Sequence, residues 1–264
     1  MDICDLGNKI VTDSKHFQQV MYVCSTLLHY HPLAHEAREY LSSRVPTFNI
    51  SGFTLGYFPD NNNLNLLLDK VDLEILQELG LVYLRRVSDT GVTEERPQSI
   101  LSNHNIVLPY QNLYGDTIGL VGRTLLSKED MKLNKVSKYK NSELKKSLNL
   151  FGLNLAKHNI IAKNHVIIVE GQFDCITAHR FGFNNVVALG GVSFSKYHFY
   201  LLKRYTNNIY LLLDNDEAGQ RERDNILSRY GNLANIQTMQ IDSRYKDIDE
   251  YLRKSTDHSS LIIT

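Results

Sequence analysis

The sequence predicts an α/β fold, in which a mixed α/β N-terminal subdomain precedes a domain with a mainly parallel sheet covered by helices on both faces. From Lys163 onward, short apolar runs alternate regularly with helical segments, and the connections between them are short. Such strand–helix repeats imply right-handed crossovers and therefore a parallel sheet. Upstream of Lys163, helices, turns and a hairpin follow one another without this alternation. We therefore predict two domains, residues 1–160 and residues 161–264.

Composition and charge exclude several classes of protein. The chain has 264 residues, of which 42% are hydrophobic, and its 29 basic residues balance its 29 acidic residues. With a net charge of zero, no global field attracts the whole molecule to nucleic acid, so such binding has to use a local patch. No apolar run approaches the roughly 18 residues of a membrane-spanning helix, and no membrane association is expected.

The cysteines indicate a reducing compartment. Cys4, Cys24 and Cys175 are far apart in the sequence and form no CxxC pair. This spacing argues against a disulfide framework and against a zinc ribbon within the chain, so no zinc is expected. The N-terminus lacks the basic-then-apolar pattern of a secretion signal. The cytoplasm is the predicted compartment.

The N-terminal segment is predicted to be helical after a short lead-in. Apolar residues at spacings of three and four predict helices over residues 14–44, interrupted at Pro32. Residues 1 to about 14 carry a mixed pattern and are predicted to form a loose lead-in. The histidines near the helix break are interpreted as exposed or capping residues rather than as metal ligands: His29, His31 and His35.

The remaining elements are predicted from the periods of helices and strands and from glycine, asparagine and aspartate at the turns. In the first domain they are short helices at 64–68 and 73–79, a strand at 82–87 with a turn at 88–91, and a hairpin of strands at 106–108 and 118–122. In the second domain they are strands at 166–169, 186–189, 209–213 and 236–241, and helices at 173–181, 195–205, 217–230 and 248–254. The second set is the alternation on which the predicted parallel sheet depends.

A basic segment extends from Arg123 to Lys146, with eight lysine or arginine residues against three acidic residues. Clustered lysine and arginine favour binding to a polyanion because they release its counterions. Tyr139 and Asn141 interleave with the lysines and favour a strip that follows a phosphate backbone. On composition alone, an ordinary solvated face remains the alternative.

Carboxylates follow the ends of predicted strands in the second domain. In chain order they are Glu170 with Asp174, Asp214 with Asp216, and Asp247 with Asp249. Because the carboxyl ends of parallel strands lie on one edge of a sheet, where α/β proteins bind ligands, these groups can converge. Asp214 and Asp216 are two residues apart, so on an extended segment their side chains point the same way and can share a cation. Asp216 is also suited to begin the following helix as an N-cap, and both roles remain open.

Converging carboxylates favour divalent cations. Two unit charges about 4 Å apart repel by roughly 4 kcal/mol at an effective dielectric constant of 20. The carboxylates therefore either take up protons or are neutralised by cations, and their hard oxygens suit Mg²⁺ or Mn²⁺ rather than zinc. Two such ions can activate an attacking oxygen and stabilise the leaving oxygen of a phosphoryl group. An acidic site combined with a basic strip is the pattern for chemistry on nucleic-acid phosphates.

Three acidic segments resemble the signature of the Toprim domain. They are residues 170–174 (EGQFD), 214–219 (DNDEAG) and 246–249 (KDID). The Toprim domain is shared by bacterial-type primases, topoisomerases, certain nucleases and recombination proteins. The order of a glutamate, then DxD, then a further acidic pair is more specific than any one of these motifs.

Segments outside the acidic motifs resemble the DnaG-type primases. Residues 106–123 (IVLPYQNLYGDTIGLVGR) resemble the primase strand–turn–strand run that ends in Gly-Gly-Arg. Residues 138–142 (KYKNS) resemble its KYLNS segment, and residues 146–152 (KSLNLFG) resemble its KGxxLYG segment. The resemblance covers roughly residues 30–254 and implies a Toprim domain preceded by a basic α/β subdomain.

This resemblance implies a DNA primase core that synthesises short RNA primers on single-stranded DNA from nucleoside triphosphates. It implies that catalytic Glu170, Asp214 and Asp216 hold two or more Mg²⁺ or Mn²⁺ ions, with Asp174, Asp247 and Asp249 in support. Nucleotide or template contacts are implied for Arg123, Lys138, Tyr139, Asn141, Lys145 and Lys146. The expected partners are the template, the triphosphates, the RNA product, and a replicative helicase or a separate zinc-binding protein.

The sequence departs from the primase pattern at several positions. Gln172 stands where an aromatic residue is usual, and Asn103 and Asn105 stand where arginines are frequent. The loop between Ser142 and Lys146 is short, which predicts a displaced Lys146. We expect a minimal polymerase core without zinc-binding or helicase-binding domains, of the kind that a phage or plasmid encodes. The alternatives are a Toprim nuclease acting on nucleic acid and a catalytically silent relative that binds single-stranded DNA or a helicase.

Overall fold

The computed structural model describes residues 3–44, 52–89, 92–255 and 262–263. These residues form two units with separate hydrophobic cores. The first unit contains Asp116–Leu144 and the described residues up to Gln111 other than Gly52, and the second contains Gly52, Asn112–Gly115 and the described residues from Lys145 onward. The assignment of separate functional domains to residues 1–160 and 161–264 stays a prediction.

The first unit combines helices with two antiparallel sheets. Its helices are α1 (Ile3–Tyr30), α2 (His35–Ser42), α3 (Asn65–Leu68), α4 (Leu73–Glu78) and α5 (Lys128–Asn134). Its strands are β1 (Gly56–Tyr57), β2 (Val82–Asp89), β3 (Val92–Ser99), β4 (Ile106–Gln111), β5 (Thr117–Arg123) and β6 (Tyr139–Asn141). Strands β1, β4, β5 and β6 form one sheet in that order, and β2 pairs with β3. The predicted hairpin of β4 and β5 is confirmed, whereas the turn predicted at 88–91 lies partly outside the described residues.

Helix α1 is longer than the sequence predicts. Residues 3–13 belong to the helix, so the prediction of a loose lead-in is wrong for them. No proline interrupts this stretch. Lys9 also pairs with Asp13 one turn later, at 3.7 Å, which favours the helix.

The helix break at Pro32 is confirmed. A 3-10 turn at Pro32–Ala34 separates α1 from α2, because proline cannot continue the hydrogen-bond ladder of α1. His31 caps this turn, since its Nδ1 atom accepts the Leu33 N–H at 3.3 Å. The capping interpretation is therefore confirmed for His31.

The apolar face of α1 packs into the core of the first unit. Phe17, Val20, Met21 and Cys24 are buried in one cluster with residues of β4 and β5. These are the residues whose spacing predicted the helix. Among the described residues, no helix is both long and apolar enough to cross a membrane.

The second unit is built around a mainly parallel sheet. Its helices are α6 (Leu153–Lys163), α7 (Gln172–Arg180), α8 (Lys196–Leu202), α9 (Glu217–Tyr230) and α10 (Ile248–Lys254). Its strands are β7 (Val166–Val169), β8 (Val186–Ala188), β9 (Asn208–Leu211), β10 (Asn235–Gln240) and β11 (Ile262–Ile263). The strand order is β11-β10-β9-β7-β8, in which β11 alone is antiparallel to its neighbour. The predicted fold class is confirmed.

Burial of strand β7 shows that the sheet is covered on both faces at its centre. Successive strand residues point to opposite faces, and all of Val166–Val169 are buried. Helices α6, α8 and α9 contribute Ala156, Phe199 and Ile226 to the core that contains β7 and β9. The continuous apolar run of β7 is explained by this two-sided burial.

Register places the ends of β7 and β9 side by side. Ile168 pairs with Leu211, and the Leu212 N–H donates to the Ile168 carbonyl at 2.8 Å. Both strands run in the same direction, so the residues that follow them leave from the same edge of the sheet. Glu170 and Asp214 are among these residues.

Candidate active site

Glu170 lies directly after β7 and links neighbouring strands at their carboxyl ends. Its Oε1 atom accepts the backbone N–H of Asp214 at 3.1 Å. Its carbonyl accepts the N–H of Gly190, beyond β8, at 2.9 Å. Burial raises the pKa of Glu170, and the charges of Asp214 and Asp216 raise it further, while the hydrogen bond from the Asp214 N–H and the Lys246 ammonium oppose this shift. Glu170 therefore lies in an acidic environment with incomplete charge compensation.

Asp214 is the mostly buried carboxylate of the DxD motif. Its side chain is 14% exposed, and its Oδ2 atom lies 2.8 Å from the Lys246 Nζ atom. The Arg223 guanidinium donates to the carbonyls of Leu213 and Asp214, at 3.0 and 3.2 Å. Arg223 therefore fixes the backbone that carries the Asp214 carboxylate.

Asp216 begins helix α9. Its Oδ1 atom accepts the N–H groups of Ala218 and Gly219, at 3.1 and 3.0 Å. The N-cap interpretation of Asp216 is confirmed. The residue is exposed, so capping is compatible with a second role for the same carboxylate.

Gly219 is required by close approach of the backbone. A Cβ atom at this position would collide with the carbonyl oxygen of Asp214 and would lie 2.9 Å from the Glu170 Oε1 atom. The first turn of α9 can therefore lie against the acidic pair only because residue 219 has no side chain. The glycine of the DNDEAG segment has a steric role at the site.

Asp174 is enclosed on the first turn of α7. Its Oδ2 atom accepts the Gly171 N–H at 2.9 Å. Burial raises its pKa well above the usual range, and the charges of Asp247, Asp214 and Asp249 add to the shift. This carboxyl group shares the acidic environment but is itself buried.

Asp249 is held entirely by protein groups. Its Oδ1 atom accepts hydrogen bonds from Thr177 Oγ1 at 2.7 Å and Arg253 Nε at 3.0 Å, and its Oδ2 atom accepts Arg253 Nη2 at 2.8 Å. Asp247 caps α10 by accepting the Glu250 N–H at 2.8 Å, and burial raises its pKa. Asp249 therefore connects α10 to α7, whereas Asp247 lies at the start of α10.

The two lysines of the KSLNLFG region have different environments. Lys145 is exposed, whereas Lys146 is buried. The Lys146 Nζ atom donates to the Gly190 carbonyl at 2.7 Å, and burial lowers its pKa. Lys146 thus supports the loop after β8, and a direct contact with nucleotide or template stays a prediction for both lysines.

Three of the predicted binding residues meet in the first unit. The Arg123 Nη1 atom donates to the Tyr139 hydroxyl at 3.0 Å, and the guanidinium lies 5.3 Å from the Tyr139 ring centre. The Lys138 ammonium lies 5.5 Å from the same ring. Asn141 pairs with Val121 through strands β6 and β5. Arg123, Lys138 and Tyr139 form a cationic, aromatic cluster suited to phosphate and base contacts.

Sequence reasoning missed Tyr40 in this cluster. Its ring centre lies 4.8 Å from the Arg123 guanidinium and 5.0 Å from that of Arg44. Tyr40 and Arg44 are four residues apart on and just beyond α2, which is the only signal in the sequence for their contact. Nothing local in the sequence indicates the contact with Arg123.

Lys246, Arg223 and Glu222 were also missed near the carboxylates. Glu222 accepts the Phe194 N–H at 2.7 Å and lines a cavity of about 270 Å³ together with Glu170 and the Gly191–Ser193 loop. Lys246 stands in the KDID segment, beside the predicted Asp247. The position next to Asp247 was the only sequence signal for a role of Lys246 at the site, because its partner Asp214 is distant in the sequence.

The donor set fits a hard divalent cation in its chemistry. Glu170, Asp214 and Asp216 present carboxylate oxygens, and a cationic group already lies on Asp214. Within the described ranges, however, no group of three or more histidine, cysteine, aspartate or glutamate side chains is placed so that it could hold a metal ion. Asp214 forms an ion pair with Lys246, and Asp216 caps α9. To share a cation, the two carboxylates would have to give up or rearrange these contacts.

Comparison with known families accounts for most of the chain. Residues 24–157 match the family described as DNA primase catalytic core, N-terminal domain. Residues 167–252 match the Toprim-like family. The chain belongs to the DnaG-type DNA primase family. The predicted resemblance to these primases, including the Toprim domain, is confirmed.

A relative and two solved structures illustrate the similarity. The DNA primase of Lactococcus lactis is 31% identical over 222 residues, which cover 83% of this chain and 33% of that protein. The zinc-binding and RNA polymerase domains of the Aquifex aeolicus primase superpose with a TM-score of 0.71 at 26% identity, covering 92% of this chain and 57% of that chain. A DnaG primase catalytic domain bound to single-stranded DNA gives a TM-score of 0.69 at 23% identity, covering 93% and 80%. The chain thus spans about a third of the Lactococcus relative.

Proposed function

We propose that this chain is the catalytic core of a DNA primase and joins nucleoside triphosphates into short RNA primers on a single-stranded DNA template. The observation that carries the proposal is the link between Glu170 and Asp214 across the ends of β7 and β9, in a chain of the primase family. A nuclease needs similar carboxylates, but the primase-type N-terminal match gives it no support.

We assign the catalytic carboxylates to Glu170, Asp214 and Asp216, as ligands of two or more Mg²⁺ or Mn²⁺ ions. When bound, such ions would supply positive charge to the attacking and leaving oxygens of the phosphoryl group. The raised pKa of Glu170 and the ion pair of Asp214 support the assignment, because both indicate carboxylates that need a counter-charge. Asp174, Asp247 and Asp249 would support the site through its charge and through the placement of α7 and α10.

Binding of the triphosphate or template is assigned to the cationic residues. Arg123 and Lys138 would meet phosphate oxygens, and Tyr139 would orient the Arg123 guanidinium through its hydroxyl group. The 3′-hydroxyl of one nucleotide attacks the α-phosphate of the next, and pyrophosphate leaves. Base pairing would select the nucleotide, so the protein only has to hold backbone and stack bases. Asn141, Lys145 and Lys146 complete the proposed binding set.

The proposed partners follow from this reaction. They are single-stranded DNA, nucleoside triphosphates, the RNA product, and a replicative helicase or a separate zinc-binding protein. A primase catalytic domain of the same fold binds single-stranded DNA, which supports the first of these. The cytoplasm of a bacterium or a phage-infected host is the proposed compartment, in which the buried thiols of Cys24 and Cys175 would remain reduced.

A primer-synthesis assay tests the proposal. The protein is incubated with single-stranded DNA, labelled nucleoside triphosphates and Mg²⁺, and short RNA is the expected product. Cleaved DNA would indicate a nuclease instead, and the absence of both products would indicate a silent DNA-binding relative.

Substitution of Asp214 tests the catalytic assignment. We expect Asp214→Asn to lower the rate of primer synthesis at least a hundredfold, because an amide cannot replace a carboxylate as a ligand for a hard cation. Binding of single-stranded DNA, measured by fluorescence anisotropy, should stay within about twofold. Asp224→Asn makes the same change on an exposed residue of α9 and should leave the rate unchanged. Full activity of Asp214→Asn would contradict the assignment.

A further inference from the structure

Lys246 places a cation directly on the central carboxylate of the site. Its Nζ atom lies 2.8 Å from the Asp214 Oδ2 atom. The Asp214 side chain is 14% exposed, whereas the Lys246 side chain is 56% exposed. A long side chain thus reaches from solvent to a mostly buried carboxylate, where it provides the positive charge that Asp214 requires.

The backbone around Lys246 is fastened to the loop that carries Asp214. The Asn215 N–H donates to the Lys246 carbonyl, and the Asn215 Nδ2 atom donates to the Tyr245 carbonyl, both at 3.0 Å. The Lys246 N–H in turn donates to Glu250 Oε2 at 3.0 Å. These bonds fix the distance between the two loops, so the contact of Lys246 with Asp214 is built into the loop connection.

A divalent cation and the Lys246 ammonium would repel each other if both were bound to Asp214 at the same time. Like charges a few ångströms apart repel, and the repulsion doubles when one of the charges is divalent. The Lys246 side chain is 56% exposed, so its ammonium can leave Asp214 and be solvated by water. Binding of a divalent cation at Asp214 would therefore require the release of Lys246.

We propose that Lys246 is a tethered cation that competes with the divalent metal ion for Asp214 and so sets the affinity of the site for the metal. The inference rests on the proposed role of Asp214 as a metal ligand. Lys246 is in this view a positioning residue, since it acts through Asp214 and keeps the carboxylate in place until the metal ion binds.

Binding of Mn²⁺ alone, without nucleotide or DNA, tests the inference. The dissociation constant is measured by titration with detection of free Mn²⁺ by electron paramagnetic resonance. We expect Lys246→Met to bind Mn²⁺ about threefold to tenfold more tightly than the unmodified chain, because the competing charge is gone. Lys246→Arg keeps the charge and should retain an affinity within twofold of the unmodified chain.

A matched control is available in the same loop. Arg244 is exposed and pairs with Asp242, at 2.6 Å. Arg244→Met therefore removes the same charge without touching Asp214 and should leave the dissociation constant unchanged. Circular dichroism of each variant verifies the fold before titration.

The outcomes separate this inference from the proposed function. Equal or weaker Mn²⁺ binding by Lys246→Met would overturn the inference alone, provided that the unmodified chain binds Mn²⁺ and Asp214→Asn does not. If Arg244→Met tightens Mn²⁺ binding as much as Lys246→Met, the inference is also overturned, because the effect would then not depend on the contact with Asp214. Absence of Mn²⁺ binding by both the unmodified chain and Lys246→Met would overturn the metal assignment of the proposed function and the inference with it.

Discussion

At the scale of single residues, the acidic groups of the second unit have different roles. Glu170 and Asp214 share a hydrogen bond, and Asp214 faces a cation, whereas both oxygens of Asp249 are held by Thr177 and Arg253. In the sequence, Glu170, Asp214 and Asp249 look alike, because each is an acidic residue that follows a predicted strand. Their different partners separate the proposed ligands from a carboxylate that connects helices.

The pair of Asp249 and Arg253 gives a stability prediction. The Asp249 and Arg253 side chains are 2% and 18% exposed, so Arg253→Met removes two charge-assisted hydrogen bonds from a buried carboxylate. We expect a loss of about 3 kcal/mol in the free energy of unfolding. Urea denaturation followed by circular dichroism measures it.

An exposed arginine of α9 provides the control for this substitution. Arg221 pairs with Glu217 at 3.5 Å, and the two side chains are 73% and 92% exposed. Arg221→Met should change the free energy of unfolding by less than about 0.5 kcal/mol. A similar small change for Arg253→Met would show that the buried pair does not stabilise the contact of α10 with α7.

At the scale of elements, His198 couples α8 to the turn that carries Lys146. Its Nδ1 atom accepts the Ser195 N–H at 3.2 Å, and its Nε2 atom contacts the Lys146 carbonyl at 2.8 Å. This pattern requires a neutral imidazole that donates from Nε2. Burial lowers the pKa of His198 from its usual value of 6.5, although the contact with the Lys146 carbonyl opposes the shift.

The neutral His198 predicts a loss of stability in mild acid. Because its pKa is lower in the folded state, the unfolded chain binds more protons between that lowered pKa and 6.5. The contribution of His198 to the free energy of unfolding is therefore complete above pH 6.5 and decreases as the pH falls through this window. Urea unfolding at pH 7.5 and 5.5 should show a smaller pH effect in His198→Gln than in the unmodified chain. The exposed His35→Gln should retain the full effect, and an equal effect in all three would contradict the prediction.

Elements with strong local patterns were predictable, and those defined by distant contacts were not. Strand β7 was found because a continuous apolar run precedes Glu170, and α1 was found from its buried apolar face. Helix α6 was missed, since asparagine, lysine and histidine interrupt its apolar residues and its burial is decided by the sheet. Lys246 was missed for the same kind of reason, because its partner lies 32 positions away.

At the scale of the whole molecule, the charge is balanced but unevenly distributed. The net charge is zero, whereas the segment from Arg123 to Lys146 has eight basic and three acidic residues. Lys138 and Lys140 are exposed in this segment. Binding of single-stranded DNA should therefore depend on the segment and not on a general attraction of the protein.

Salt dependence measures this local electrostatic contribution. For a single strand, the logarithm of the binding constant falls with the logarithm of the salt concentration, with a slope of about −0.7 for each phosphate neutralised. We expect Lys138→Gln and Lys140→Gln each to weaken binding and to reduce the slope by about 0.7, as measured by anisotropy between 50 and 200 mM salt. Lys15→Gln removes an exposed charge of α1 outside the segment and should leave the slope unchanged. Tight binding that is insensitive to salt, or an equal effect of all three substitutions, would show that the basic segment is only a solvated face.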